Sequence, residues 1–308
     1  MNNLALAQTL PGMHYFYSAA QKLSFTMAAK DLCVTQAAVS HRIRQLESYL
    51  GFALFHRYTR RVALTDEGER LYAILSRSLH DLSDEINNIR HLGLTGSLSI
   101  HSSPSFAELW LVPRLTRFKE KHPGIVAHIS SRNDLVDLET ENVDIAIAYE
   151  SGPLSGVETI FLMRDSLLPV CTPSYAAEHK LVEKGLAALP ECTLLHDNAP
   201  WHSAHFYSEW QAWSEHIGLK DLNVNSGYSF NSSAFAYTAA KNGLGIAMGR
   251  KRLVRNDLAT GSLVAPFEQE MPATQRYDII VRKETIHRPR VKAFIDWLLL
   301  EAAEMLEA

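Results

Sequence analysis

Ala37, Ser40, His41, Arg44 and Ser48 share one side of any helix wound over residues 36–50, since at about 100° per residue their spacings return to the same azimuth. They are small or hydrogen-bonding groups where a solvated face usually carries a Glu/Lys mixture. Their chemistry is recognition: small side chains allow close approach, while Ser, His and Arg offer donors and acceptors to base edges in a major groove. Between residues 22 and 61, Lys22, Lys30, Arg42, Arg44, Arg57, Arg60 and Arg61 face only Asp31 and Glu47, a local basic excess in a chain of net charge -4. Phosphate contact needs such a local excess and not a basic protein. The plainer alternative is a helical hairpin with a solvated polar side; the charge favours double-stranded DNA.

The elements that must position this face are local. Phe25, Ala28, Ala29 and Leu32 give one apolar face of a helix capped by Ser24, Cys33 and Val34 make a turn, and Thr35 caps a second helix. Val39, Ile43, Leu46 and Leu50 turn that second helix inward, and Gly51 ends it. Upstream, Met13, Phe16, Tyr17 and Ala20 supply a third face for a small helix-turn-helix core. Downstream, FHRYTRRVAL reads as a short hairpin whose tip could set Arg57, Arg60 or Arg61 against the DNA backbone or minor groove.

Thr65, Asp66 and Glu67 then open a long helix. Tyr72, Leu75, Leu79, Leu82, Ile86 and Ile89 alternate at three and four, as in a coiled-coil seam. The stripe either packs on its own domain or pairs two chains. A dimer is favoured, because helix-turn-helix proteins commonly read two half-sites. Gly93 and Gly96 close the helix and supply a hinge. From residue 97 onward, apolar runs such as VDIAIAY and GLGIAM alternate with helices, with a strand expected near Val224, so the fold class is α/β. Residues 97–308 carry 20 Lys+Arg and 26 Asp+Glu against 10 and 8 in residues 1–96, so the two parts have different partners.

At 308 residues and 46% hydrophobic content, the chain can bury two or three domains. It shows no membrane-length apolar run and no signal sequence, so a cytoplasmic protein is expected. Cys33, Cys171 and Cys192 lack metal or disulfide spacing and read as small core residues.

Ser102, Ser103 and Ser105 lie between a strand and a helix, where hydroxyls and free amides either cap the helix or hold a carboxylate. Asn231, Ser232 and Ser233 repeat the arrangement. His196 and Asp197, with Trp201 just beyond, could offer a charge to an ammonium and an aromatic wall. No catalytic residue, cofactor or metal is expected: GYSFN lacks the last glycine of a nucleophile elbow, GLGIAMG has no βαβ context, and His202 and His205 read as loop histidines.

The stretch SFTMAAKDLCVTQAAVSHRIRQLESYLGFALFHRYTRRVALTDEG resembles the DNA-binding domain of LysR-type transcriptional regulators. The resemblance implies a winged helix-turn-helix over residues 8–65, a linker helix over 66–93 and an effector domain over 97–308 similar to periplasmic binding proteins. That domain would have lobe one at 97–168 and 272–308, lobe two at 169–271, and a small-molecule effector between them. Gln36, Ala37, Ser40, His41 and Arg44 would face DNA, with Arg60 on the wing. The implied partners are promoter DNA, a second copy of the chain in a dimer or tetramer, and RNA polymerase. Within the family, SSPSFAELWLVPRL, CTLLHD and GIAMGRKRLV resemble the glycine-cleavage and D-serine-deaminase activators, which points to D-serine or another small amino acid or carboxylate.

Overall fold

Ser24 Oγ accepts the amide of Met27 at 3.3 Å and Thr35 Oγ1 that of Ala38 at 3.2 Å, so each hydroxyl caps the helix it precedes. The computed structural model describes residues 3–57, 62–90, 94–134, 136–138, 140–150, 152, 155–220 and 222–307. In it α1 spans Asn3–Lys22, and the two caps start α2 (Phe25–Asp31) and α3 (Gln36–Leu50). Cys33 takes φ +54° in the turn, and α3 ends at Gly51 with φ +82°, where glycine carries no Cβ penalty. Cys33 is exposed, contrary to the core position expected of it, because it occupies that turn; Cys171 and Cys192 are buried.

Phe16, Ala28, Val39, Ile43, Leu46 and Phe55 share one buried cluster, with Phe25 packed against it and the Phe55 ring meeting Phe16 and Phe25 edge-on. Strands β1 (Phe55–Arg57) and β2 (Val62–Leu64) pair antiparallel as the wing; its tip, with Arg60 and Arg61, lies outside the described residues. Thr65 Oγ1 then accepts the amide of Gly68 at 3.0 Å at the start of α4 (Asp66–Arg90). A Cβ on Gly68 would lie 2.2 Å from the Leu54 carbonyl oxygen, so only glycine lets α4 pass this close. The α4 stripe divides. Tyr72 and Leu75 pack on the helix-turn-helix core, Tyr72 stacked on Tyr17, whereas Leu79, Leu82 and Ile86 are 36%, 57% and 39% exposed. Residues 91–93, Gly93 among them, lie outside the described residues, and Gly96 opens the next strand with φ +110°.

The chain divides into two compact units, the second holding the remaining strands and helices. Its strands are β3 (Gly96–Ser102), β4 (Ile125–Ser131), β5 (Ile145–Glu150), β6 (Glu158–Val170), β7 (Leu194–Asp197), β8 (Tyr228–Phe230), β9 (Ile246–Arg250) and β10 (Met271–Val281). Among the described residues they form one sheet in the order β4-β3-β5-β10-β6-β9-β7-β8. β3, β4 and β5 are parallel, as are β7, β8 and β9; β6 and β10 run antiparallel to each other and join the two half-sheets. The β6–β10 ladder shifts register between Pro272 and Arg276 and again between Tyr277 and Asp278.

Two segments depart from expectation. Val224 is not in a strand: the chain pairs with β7 only after Gly227, which sits at φ +98° where a Cβ would fall 1.9 Å from the Leu194 oxygen. The segment after β3 is not one helix but a helical turn Pro104–Phe106, a π-turn Ala107–Leu111, a 3-10 turn Val112–Arg114 and a helix Leu115–Lys121. Pro113, lacking an amide donor, sits where the hydrogen-bond pattern changes. No helix among the described residues is long and apolar enough to cross a membrane.

Candidate nucleic-acid interface and ligand cleft

Burial of Val39, Ile43 and Leu46 fixes the rotation of α3, leaving Ala37, His41 and Arg44 exposed and Ser40 half-buried away from the core, while Gln36 is exposed as the first residue of the helix. Recognition-type side chains therefore stand on an open face. The wing is anchored to the same helix, because Glu47 Oε1 accepts the amides of Leu54 at 2.9 Å and Phe55 at 3.3 Å. Glu47 thus holds the start of β1 against α3. The sequence gives no sign of this role beyond one acid in a basic stretch.

In the second unit, a cleft enclosing about 50 Å³ lies where the end of β5 meets the segment Ala199–His202 that follows β7. At about 10–15 Å³ per water-sized position, it has room for a few waters or a small amino acid. His101 and Ser103 line one side, Trp201 and His202 the other, with Arg132, Asp134 and Glu150 also on its wall. Arg132 and Asp134 are exposed. His101 is buried, and its Nδ1 lies 3.1 Å from Ser130 Oγ. Burial, then the charge of Arg132, lower its pKa below the ordinary histidine value against the backbone carbonyls of Asp134 and Arg132. Tyr149 turns its side chain to the other face of β5, against Tyr277 and Arg250, where its hydroxyl is buried and unpartnered and burial raises its pKa.

Behind the cleft, Arg250 of β9 spans the junction of the half-sheets. Its guanidinium lies 4.3 Å from the Tyr149 ring centre, Nε donates to Glu209 Oε1 at 2.9 Å, and Nη2 donates to the Pro200 carbonyl at 3.1 Å. Glu209 keeps Arg250 charged despite burial, while burial pushes the Glu209 carboxyl up to about 7 against the pull of Arg250.

Residues 10–69 match the family described as bacterial regulatory helix-turn-helix protein, lysR family, and residues 91–303 match the LysR substrate binding domain. The chain is 41% identical over 297 residues to the HTH-type transcriptional regulator DsdC of Escherichia coli (strain K12), covering 96% of this chain and 95% of that protein. The chain belongs to the LysR-type transcriptional regulators. To the glycine cleavage system transcriptional activator of the same strain it is 34% identical, over 96% of this chain and 94% of the relative. Its second unit is similar to the effector domain of AmpR from Pseudomonas aeruginosa, with 29% identity and a TM-score of 0.58, covering 68% of this chain and 97% of that one. This LysR-type regulator is accordingly a DNA-binding protein with a substrate-binding domain, and not an enzyme.

Its expected effector residues have different surroundings. Ser103 and Trp201 do line the cleft. Ser103 precedes the Pro104 turn without a side-chain cap bond, and the fully buried Ser102 hydroxyl donates to the Ser103 carbonyl. Ser105 and Ser232 bond to each other at 2.9 Å across the half-sheets. His196 and Asp197 are the last residues of β7 and are not among those lining the cleft. His196 Nε2 meets the Ser226 carbonyl at 2.7 Å, and its ring packs edge-on against Tyr207. Asp197 is already engaged, taking a 2.5 Å bond from Ser233 and facing Arg250 at 3.6 Å. Asn231 is exposed, and its carbonyl accepts from the Asn133 side chain. Arg60 lies outside the described residues. Sequence reasoning did not single out His101 or Arg132, which line the cleft but read as ordinary strand and loop residues. Among the described residues, no cluster of His, Cys, Asp or Glu could hold a metal.

Proposed function

We propose that this LysR-type regulator activates amino-acid catabolism in response to D-serine or a similar small amino acid bound between lobe one (97–168 and 272–308) and lobe two (169–271). One observation carries the effector class: a cleft of about 50 Å³ whose wall combines a cation, Arg132, with two acids, Asp134 and Glu150. That pairing suits the carboxylate and ammonium of a zwitterion. D-serine follows from the resemblance of CTLLHD and GIAMGRKRLV to D-serine-deaminase activators; the 34% identity to a glycine cleavage activator makes glycine the second reading.

Two chains pair along Leu79, Leu82 and Ile86 of α4 and present two copies of the α3 face to a two-fold promoter site, with tetramers formed from such dimers in the cytoplasm. Gln36, Ala37, Ser40, His41 and Arg44 read the major groove, Arg60 the flanking backbone, and the DNA-bound assembly engages RNA polymerase. Ligand alters transcription only through a difference in affinity between two arrangements of the assembly. Calorimetric titration of the full chain with D-serine, L-serine, glycine and D-alanine, followed by operator footprinting, tests this reading. D-serine should bind and change the footprint. If glycine alone does so, the glycine reading replaces it.

A further inference from the structure

The Lys251 amide donates to the Ser166 carbonyl at 2.9 Å and the Arg252 amide to Asp165 Oδ1 at 2.9 Å, so two bonds fix the turn after β9 against β6. A recess of about 380 Å³ lies where they meet. Arg164, Lys251, Arg252 and Arg255 stand on its wall against two acids, Asp165 and Glu270. Glu270 is engaged by Lys251 at 2.6 Å, and burial pushes the Asp165 carboxyl up to about 7, so it offsets the cations only in part at neutral pH. The Arg164 and Arg255 guanidinium groups have no hydrogen bond or ion pair to any described residue, although Arg255 is half-buried. An adjoining groove shares Arg252 and Arg255 and adds Arg114, Arg117 and Lys241. Those three are already engaged, Arg114 and Arg117 by Glu301 and Lys241 by Asp257. Together the two walls hold seven of the 20 Lys and Arg residues in 97–308 but four of its 26 acids, a local cationic excess inside an acidic domain. Like charges held this close repel, and an anion that enters relieves the repulsion.

We propose that this recess is a second ligand site, separate from the effector cleft, that takes a small dianion, a phosphate monoester or a dicarboxylate, between Arg164 and Arg255. No residue lines both the recess and the cleft. The volume falls within the range of small-molecule pockets. A guanidinium presents its donors as a planar fork that matches the oxygens of either group, and such charge-assisted bonds are stronger than neutral ones. A monovalent anion leaves one of the two guanidinium groups unmet. A zwitterion brings its ammonium among four cations, so the amino acids proposed for the cleft are disfavoured here. A concave wall with half-buried Arg252 and Arg255 fits a small molecule, whereas a duplex or a flat protein surface meets exposed groups first. The inference stands whichever effector the cleft takes.

The experiment is a calorimetric titration of the full chain, at low salt in a phosphate-free buffer, with inorganic phosphate, succinate and, as a monovalent comparison, acetate. It is repeated on Arg164→Gln, Arg255→Gln and Lys220→Gln. Neither arginine side chain holds another described residue, so both variants should fold, which circular dichroism verifies; Lys220 is exposed and stands on neither wall. Phosphate or succinate should bind at one site per chain, at least about tenfold more tightly than acetate. Arg164→Gln and Arg255→Gln should each weaken that binding by about tenfold or more, and Lys220→Gln should leave it unchanged. The tighter of the two dianions names the class. The site is overturned if neither dianion binds the parent at millimolar concentration, if acetate binds as tightly, or if both arginine variants bind as the parent does. Equal weakening in Lys220→Gln also overturns it, since general surface charge then accounts for the binding. Operator affinity lowered in both arginine variants, with no dianion bound by the parent, assigns the patch to the DNA backbone instead.

Discussion

Ser105 Oγ lies 2.9 Å from Ser232 Oγ, and the Ala234 amide donates to the same Ser105 oxygen at 3.1 Å, so one hydroxyl ties the turn after β3 to the start of the helix Ser233–Lys241. All three groups are buried, which leaves water no route to replace a lost partner. Ser105→Ala should therefore destabilise the effector domain by about 1–3 kcal/mol, the cost of an unsatisfied buried amide. Urea unfolding followed by tryptophan fluorescence measures it, since Trp110, Trp210, Trp213 and Trp297 all lie in the second unit's core. A midpoint equal to the parent's would show that the half-sheets do not depend on this link.

Arg44 is exposed on the recognition side of α3. Arg44→Ala should weaken promoter binding and, if the guanidinium reaches a guanine edge, relax one base position by about 1–3 kcal/mol. A binding-site selection with the variant reads this directly. Unchanged affinity and an unchanged base preference would remove Arg44 from the DNA face.

Leu82 is 57% exposed on the outer part of α4, beyond the turns that Tyr72 and Leu75 root in the helix-turn-helix core. Leu82→Glu should break pairing between chains by placing a charge in the seam, and operator affinity should fall with it. Sedimentation velocity gives the oligomeric state, and circular dichroism checks that the fold survives. A parent protein that sediments as a monomer and still binds its operator fully rejects the seam.

Asp165 is buried, and its Oδ1 accepts the amides of Ser166 at 2.8 Å and Arg252 at 2.9 Å. Desolvation nevertheless pushes its carboxyl up to about 7. That lies above the unfolded value of about 4. Between these values the native protein holds more protons than the unfolded chain, so stability falls as pH rises from about 4 to 7 and levels off above. The slope per group is at most about 1.4 kcal/mol per pH unit. Asp165→Asn keeps an oxygen for the two amides and removes one proton from this balance. Its stability to urea should decline less between pH 5 and 7 than that of the parent; parallel curves would mean that Asp165 is ionised throughout.

The helix-turn-helix was legible because its determinants are local. Ser24 and Thr35 cap three residues ahead, and the rotation of α3 is set by Val39, Ile43 and Leu46 within its own length. The apolar runs VDIAIAY and GLGIAM were legible as strands for the same reason, whereas the strand expected near Val224 was not, since pairing with β7 begins only after Gly227. The α4 stripe was ambiguous in sequence because a heptad does not reveal which turns find a partner nearby: Tyr72 meets Tyr17, distant in the chain.

The cleft was the least legible part. His196 and Asp197 have suitable chemistry, but Ser226, Ser233 and Arg250 engage them, and such pairings depend on strand order and not on spacing. His101 drew no notice because nothing in SIHSSPS distinguishes a histidine packed inside a sheet from one that lines a cleft.

The slipped ladder between β6 and β10 has a mechanical side. On one flank of the slip, Arg276 to Val281 pairs with both β5 and β6; on the other, Leu167 to Val170 carries β9. The segment between, Ala273 to Gln275, belongs to neither register. Were the half-sheets to twist against each other, the ribbon would yield first at these three residues, and the hydrogen-bonded stretches either side would resist. A substitution at Ala273 or Thr274 would then change that resistance while the reading helix and the cleft wall keep their side chains.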